Sequence, residues 1–146
     1  MMRRSLALIA LACCGPVAAQ STRPPRVVAP DKLAQYWTML GSSVEADVPY
    51  AGRNLQVPGC ATVSFVVEKN GSTSLAKVQR VVPEGDLGKV ALSEARALQF
   101  APAVANAGKD RVFSWLIFPF NLPADPAART AVMQKCQIDK LGWDNR

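Results

Sequence analysis

The order of turn and strand signals in the second half of this chain limits its fold most. The dipeptide Asn70-Gly71 separates two runs rich in β-branched and aromatic residues, and Asn-Gly favours the positive φ angles of a tight hairpin turn. A helical run and a strongly apolar run follow. The pattern predicts strands at Cys60–Lys69, Ser72–Val82 and Val112–Phe120 and a helix at Asp86–Phe100.

This order predicts an α+β fold with a β-β-α-β core, in which a helix packs on a small antiparallel three-stranded sheet in two layers. Both alternating sets of the last strand are apolar, so both of its faces should be covered. Two flanking helices are expected as covers. One should begin at Asp31 and stop at Gly41, and the other should run from Pro126 to about Leu141.

The first nineteen residues have the composition of a signal peptide. Arg3 and Arg4 give a charged start, and the apolar run of residues 6–14 is too short to cross a bilayer core of roughly 30 Å as a helix. Small residues then predict cleavage after Ala19 and export to the periplasm. The alternatives are an uncleaved membrane anchor and a lipoprotein acylated at Cys13.

The mature chain is expected to form one domain. Removing nineteen of the 146 residues leaves 127, enough for one domain that buries about two thirds of its unfolded surface. Residues 20–30 contain three prolines and predict an extended leader of low order. Residues 31–146 form the predicted domain, with its core at 49–122.

The charge of the chain indicates a solvated surface. Seventeen Lys and Arg against eleven Asp and Glu give a formal charge of +6, which falls to about +4 once Arg3 and Arg4 are removed. The remaining cations form no run, so no nucleic acid partner is predicted.

Cysteine use points to an oxidising compartment. Cys13 and Cys14 leave with the predicted signal, so Cys60 and Cys136 remain as one pair. An even pair in an exported chain predicts a disulfide, which would stabilise the fold by about 4 kcal/mol in the chain-entropy model. Two buried thiols are the alternative.

The chain has no histidine, which removes His-based acid/base catalysis, Ser-His and Cys-His nucleophile pairs and the usual zinc sites. The acidic pairs Glu45/Asp47 and Glu84/Asp86 lie in turn-like contexts and are interpreted as solvated loops. We therefore predict no enzyme, no catalytic residue, no metal and no cofactor.

Several small motifs occur in a fixed order. They are Pro49-Tyr50, Gly59, Val63 to Val67, Asn70-Gly71, Ala91, Ala95, Phe100-Ala101-Pro102, Gly108 and Phe120-Asn121-Leu122. This ordered set resembles the TonB carboxy-terminal domain family of periplasmic TonB/TolA-like modules. The family commonly has Tyr-Pro where this chain has Tyr50-Ala51, and Trp where it has Leu98.

TonB-like energy transducers also have a membrane helix bearing a histidine and a long Pro-rich spacer. This chain has no histidine, a predicted cleavable signal, and only Pro24, Pro25 and Pro30 as a spacer. It therefore looks like the receptor-facing module without the motor connection.

The resemblance implies that a short extended segment of a partner, such as the TonB box of an outer-membrane receptor, pairs along the last strand. Core packing is the other role expected of these side chains, and Pro119 would limit the pairing because it lacks a donor. The residues of the predicted partner-binding edge are Arg111, Val112, Phe113, Ser114, Trp115, Leu116, Ile117 and Phe118.

The sequence thus favours a soluble periplasmic protein-interaction module linked to TonB-dependent transport across the outer membrane. The alternative is a structural or regulatory protein of the cell envelope that acts through self-association, as a homodimer, without a transport role.

Overall fold

The computed structural model describes residues 23–41 and 52–143. The predicted signal peptide and the Pro49-Tyr50 motif lie outside the described residues. The strands, in chain order, are β1 (Arg26–Val27), β2 (Trp37–Met39), β3 (Gly59–Val67), β4 (Thr73–Val82), β5 (Phe100–Pro102) and β6 (Val112–Phe120). The helices are α1 (Leu87–Ala97), α2 (Pro126–Gln134) and two 3-10 helices, Pro30–Gln35 and Val104–Asn106.

The main sheet has four strands in the order β1-β6-β3-β4, and β2 and β5 form a second sheet of two strands. β3 is antiparallel to both β4 and β6, while β1 is parallel to β6. The structure thus confirms a mixed α+β fold that contains the antiparallel unit β4-β3-β6. In the described part of the chain, no helix is long and apolar enough to span a membrane.

The hairpin between β3 and β4 turns at Asn70-Gly71, as the sequence predicts. Gly71 has a φ of 83°, and its N–H donates to the carbonyl of Glu68 at 2.8 Å. A Cβ at Gly71 would lie 2.0 Å from the carbonyl oxygen of Phe100. Glycine is therefore required here both by the backbone angle and by the close approach of β5.

α1 covers one face of the sheet. Its apolar stripe is buried as the spacing predicts, and the inward face of β3 packs beneath it. The side chains of this first cluster include Ala61, Val63, Phe65, Val67, Ala91, Ala95, Val112 and Phe118. Burial of this face is the main source of stability in the domain.

The second face is covered by the segment that follows α2. Val66, Phe113 and Trp115 form a second cluster there, with Leu141 and Trp143 packed against it. Both faces of β6 are thus covered, as predicted. With a layer on each face, this part of the domain is thicker than the predicted two layers.

The predicted disulfide is confirmed. Cys60 in β3 is bonded to Cys136, just after α2, with their Cα atoms 6.0 Å apart. The hydroxyl of Thr62 donates to the carbonyl of Cys136. These contacts hold the C-terminal segment against the second face.

The prediction of a three-stranded sheet was wrong because β1 adds a fourth strand. The prolines of residues 20–30 indicated a leader, but the stretch between Pro25 and Pro30 has none. Its backbone is free to pair, and the N–H groups of Arg26 and Val28 donate to the carbonyls of Arg111 and Phe113 at 2.9 Å each. The pairing uses the edge that the sequence assigns to a partner.

The predicted helix from Asp31 to Gly41 was also wrong in its second half. A 3-10 helix ends at Gln35, and the chain continues as β2. The carbonyl of Tyr36 accepts from the N–H of Ala103 at 2.9 Å, so pairing with β5 takes up backbone groups that a longer helix would need.

The predicted final helix is shorter than expected. Asp125 caps it, accepting from the N–H of Ala128 at 2.7 Å, and α2 ends at Gln134. Beyond it, the carbonyls of Cys136 and Gln137 accept from side chains of β3 and β4. Those contacts replace helical hydrogen bonds in this segment.

Candidate functional site

β6 is an internal strand for only part of its length. On its outer side, β1 pairs with Val112 and Phe113 and then ends. Because backbone groups alternate in direction along a strand, the N–H and C=O groups of Trp115 and Ile117 point to the same side as the carbonyl of Phe113. No strand within residues 23–41 and 52–143 pairs with them there. We call the outer side of β6 at Trp115, Ile117 and Pro119 the outer edge.

A cavity of about 490 Å³ lies beside the outer edge. Trp115 and Ile117 line it on the sheet side. Two short segments complete the lining: Ala29, Pro30 and Asp31 on one, and Gln137, Ile138 and Asp139 on the other. A cavity of this size is within the range of ligand pockets in proteins.

The first wall of the cavity continues directly from β1. Val28 is buried at 6% exposure, and its N–H donates to the carbonyl of Phe113 at 2.9 Å. The chain then leaves the sheet at Pro30, where the 3-10 helix begins. Beyond this point, no strand of the described part of the chain pairs with the rest of β6 on its outer side.

The second wall is attached to the sheet through side chains. The indole N–H of Trp115 donates to the carbonyl of Ile138 at 3.1 Å, and Arg80 of β4 donates to the carbonyl of Gln137 at 2.7 Å. The Cys60–Cys136 disulfide lies next to this segment. The wall therefore depends on contacts from three strands.

Arg111, the first residue of the predicted edge, is occupied by an ion pair. Its guanidinium donates to both carboxylate oxygens of Glu68, at 2.6 and 2.9 Å, and to the carbonyl of Arg23 at 3.4 Å. Hydrogen bonding from Arg111 lowers the pKa of Glu68 and outweighs the opposite effect of desolvation. Arg111 thus joins β3 and β6 to the segment before β1.

The backbone groups of the other predicted edge residues point either toward β3 or toward the outer side. Leu116 and Phe118 point into the first cluster, Ser114 is buried, and all three lie opposite β3 residues in the ladder. By the alternation described above, their backbone groups face β3 and not the outer edge. These three side chains, like that of Trp115 in the second cluster, have the core role that the sequence offered as the alternative.

Within residues 23–41 and 52–143, Trp115 and Ile117 are therefore the predicted edge residues whose backbone groups have no pairing strand on the outer side. Pro119 follows them and is exposed, and it has no N–H to offer. The stretch available for pairing is short.

The sequence did not identify the walls of the cavity. Asp31 was interpreted as a helix cap, and Gln137 to Asp139 as part of a helix. The predicted disulfide was a usable signal, because bonding Cys136 to the first strand brings the next residues over the sheet. No sequence signal placed Ala29 beside β6.

No protein-family model matches this chain, and no curated protein matches it. Among solved structures, it is similar to the solution NMR structure of the Pseudomonas aeruginosa TonB CTD, with 20% identity and a TM-score of 0.39. The match covers 61% of this chain and 89% of that one.

Proposed function

We propose that this chain is a periplasmic protein-interaction module that binds an extended segment of a partner protein at the outer edge of β6. The observation that carries the proposal is the outer edge itself: among the residues that the structure describes, no strand pairs with Trp115 and Ile117 on one side, and both adjoin a cavity of about 490 Å³. An extended peptide can add to such an edge through backbone hydrogen bonds, while pockets select its side chains.

β1 limits how much of β6 a partner strand can pair with. Two residues of this chain already occupy the first part of β6, and both are exposed. A partner strand could pair with the open part alone, or it could displace β1 and pair along the whole of β6. The second mode would give a longer ladder and tighter binding.

The cysteines support the proposed periplasmic compartment. A disulfide joins Cys60 and Cys136, and such bonds persist in oxidising compartments such as the periplasm. Together with the signal-peptide composition of the first nineteen residues, the disulfide supports export.

The finer proposal is that the partner belongs to TonB-dependent transport across the outer membrane. It rests on the ordered motifs that resemble the TonB carboxy-terminal domain family. In this structure Gly59 opens β3, Asn70-Gly71 makes the hairpin turn, and Phe100-Ala101-Pro102 is β5.

A second candidate function is self-association in the envelope. The observation that favours it is that β6 already accepts a strand of this same chain, β1. In a homodimer, that strand could come from the other copy.

Site-specific photo-crosslinking tests the proposal. p-Benzoylphenylalanine replaces Ile117 at the outer edge, and a matched variant carries it at Lys77, an exposed position of β4. Both full chains are expressed in cells and irradiated, and the crosslinked peptides are identified by mass spectrometry. We expect Ile117, and not Lys77, to crosslink to an extended segment of an outer-membrane receptor.

An adduct of two copies of this chain at Ile117 would instead support self-association. The binding proposal fails if Ile117 gives no adduct, or if both positions give the same ones.

A further inference from the structure

Carboxylates lie along the outer side of β6. Asp110 precedes the strand, and Asp31 and Asp139 line the cavity beside its open part. No Lys or Arg is among the residues that line the cavity. Asp31 has an exposed ion pair with its neighbour Lys32 at 3.4 Å, and within the described part of the chain Asp139 has no ion pair. Among the described residues, the lining of the cavity itself therefore carries two carboxylates and no cationic side chain, although Lys32 and Lys140 neighbour them in sequence.

The chain's own β1 shows what kind of strand this side of β6 accepts. Arg26 lies 3.6 Å from a carboxylate oxygen of Asp110, and its guanidinium stacks 5.5 Å from the ring centre of Tyr36. Val28, two positions after Arg26, is buried at 6% exposure, and its N–H donates to the carbonyl of Phe113. The strand that occupies the first part of the edge is thus both cationic and apolar.

From these observations we infer the chemistry of the partner segment, an inference that rests on the proposed function. The segment that binds at the outer edge is an extended stretch of a partner protein in which a large apolar residue stands two positions from a Lys or Arg. The apolar side chain enters the cavity against Trp115, Ile117 and Ile138, and the cation reaches Asp31 or Asp139.

The spacing of two follows from strand geometry. In a strand added to β6, alternate side chains point to the same face. If one of them meets the apolar lining of the cavity, the next on that face lies roughly 7 Å further along, where a long Lys or Arg side chain can reach a carboxylate of the same lining. A residue at odd spacing would point to the other face.

The test uses the full chain and three blocked heptapeptides that differ at single positions. The first is Thr-Thr-Leu-Thr-Lys-Thr-Thr, the second has Glu in place of Lys, and the third has Ser in place of Leu. Binding is followed by the NMR shifts of the Trp115 and Ile117 amides. At low salt we expect the Lys peptide to bind about fivefold more tightly than the Glu peptide.

Variants of the chain and a change in salt concentration show whether charge causes the preference for the Lys peptide. The exposed substitutions Asp31→Asn and Asp139→Asn, combined, should remove the preference for Lys, whereas Glu84→Gln, which does not line the cavity, should leave it unchanged. High salt should also reduce the preference. The Ser peptide should bind at least fivefold more weakly than the Leu peptide, since Ser has no apolar side chain to bury in the cavity.

The inference is overturned if the Glu peptide binds as well as the Lys peptide, if the Ser peptide matches the Leu peptide, or if no peptide shifts the two amides. It is also overturned if sedimentation shows a homodimer that excludes the peptides, because the occupant is then a second copy. Crosslinking of a receptor segment at Ile117 without any charge preference would leave the proposed function standing and remove only this inference.

Discussion

The two edges of the four-stranded sheet differ in how they resist or permit pairing. The β4 edge is ten residues long, but its register against β3 shifts twice, Leu75 has a φ of 52°, and Lys77 is exposed. Bulges, irregular angles and edge lysines are the features by which proteins prevent edge-to-edge pairing. β6 has an unbroken register with β3 and carries only two residues of β1 on its other side.

The length of an exposed edge therefore does not by itself indicate how open the edge is to pairing. The long β4 edge has features that oppose pairing with another strand, whereas the shorter outer edge of β6 is regular and adjoins a cavity. The predictions below test whether the two edges differ in strand pairing, beginning with the largest expected effect.

The largest effect should come from removing the disulfide. Replacing Cys60 and Cys136 with Ser opens a loop of sequence separation 76, which should lower the free energy of unfolding by about 4 kcal/mol in the chain-entropy model. Urea denaturation of the oxidised chain and the variant measures the loss. The segment that forms one wall of the cavity should loosen, so peptide-induced shifts at Trp115 should vanish even under conditions where the variant is folded.

The amides of the β3-β4 hairpin serve as the control in the same spectra. A folded variant that binds the peptides normally would show that the C-terminal segment has no part in the binding edge.

Weakening β1 should have the next largest effect. Val28 directly follows β1 and is buried at 6% exposure. Val28→Ala should lower the free energy of unfolding by about 2 kcal/mol through lost burial and a small cavity. Because β1 would separate from β6 more often, hydrogen exchange at the Phe113 amide should accelerate and partner binding should strengthen. Val27→Ala, at a position 45% exposed, is the matched control and should change the free energy of unfolding little.

Weaker partner binding, or unchanged hydrogen exchange at the Phe113 amide, in Val28→Ala would mean that β1 does not block part of β6 from a partner.

Much of the fold could be predicted from the sequence. The Asn70-Gly71 hairpin, the buried stripe of α1 and the apolar last strand depend on local patterns of period 3.6 or 2, and the structure confirms them. The Cys60–Cys136 bond followed from counting cysteines and from the predicted export.

The missing parts depend on long-range pairing. β1 is two residues long and pairs with a strand near the other end of the chain, so nothing local distinguishes it from an extended leader. β2 lies in a stretch with helical spacing in which Leu33 and Trp37 are buried, but pairing with β5 decided its backbone. Tertiary context overrode local propensity at both places.

A smaller effect is expected at the Glu68–Arg111 pair, which joins β3 to the start of β6. Glu68→Gln should lower the free energy of unfolding at neutral pH by about 1 kcal/mol, since it weakens a half-buried, doubly hydrogen-bonded ion pair. In the folded chain the pKa of Glu68 lies below its ordinary value of 4.5. Its contribution is therefore complete above that value and is lost as the pH falls through the lowered pKa.

Urea denaturation from pH 7 down to pH 3 measures this dependence. The Gln variant should lose less stability over the acid range than the original chain, with Glu84→Gln as the control. Identical acid slopes would contradict the role assigned to this pair.

The smallest effect on stability is expected at the β4 edge. Lys77→Val should change the free energy of unfolding by less than about 0.5 kcal/mol, yet it should increase self-association, because it replaces an edge lysine with a β-branched residue. Sedimentation at increasing protein concentration detects this change. Lys77→Gln, which removes the charge without adding β-propensity, should associate less, and equal behaviour of all three chains would show that Lys77 does not protect this edge.

The central claim is that the outer edge of β6 is open in the isolated chain and closes on a partner strand. Residue-resolved hydrogen exchange tests it directly, because Ser114 and Leu116 face β3 while Trp115 and Ile117 face outward. We predict that the amides of Trp115 and Ile117 exchange at least tenfold faster than those of Ser114 and Leu116 in the monomer, and that a bound partner segment protects them. Equal protection of all four amides in the free monomer would contradict the claim.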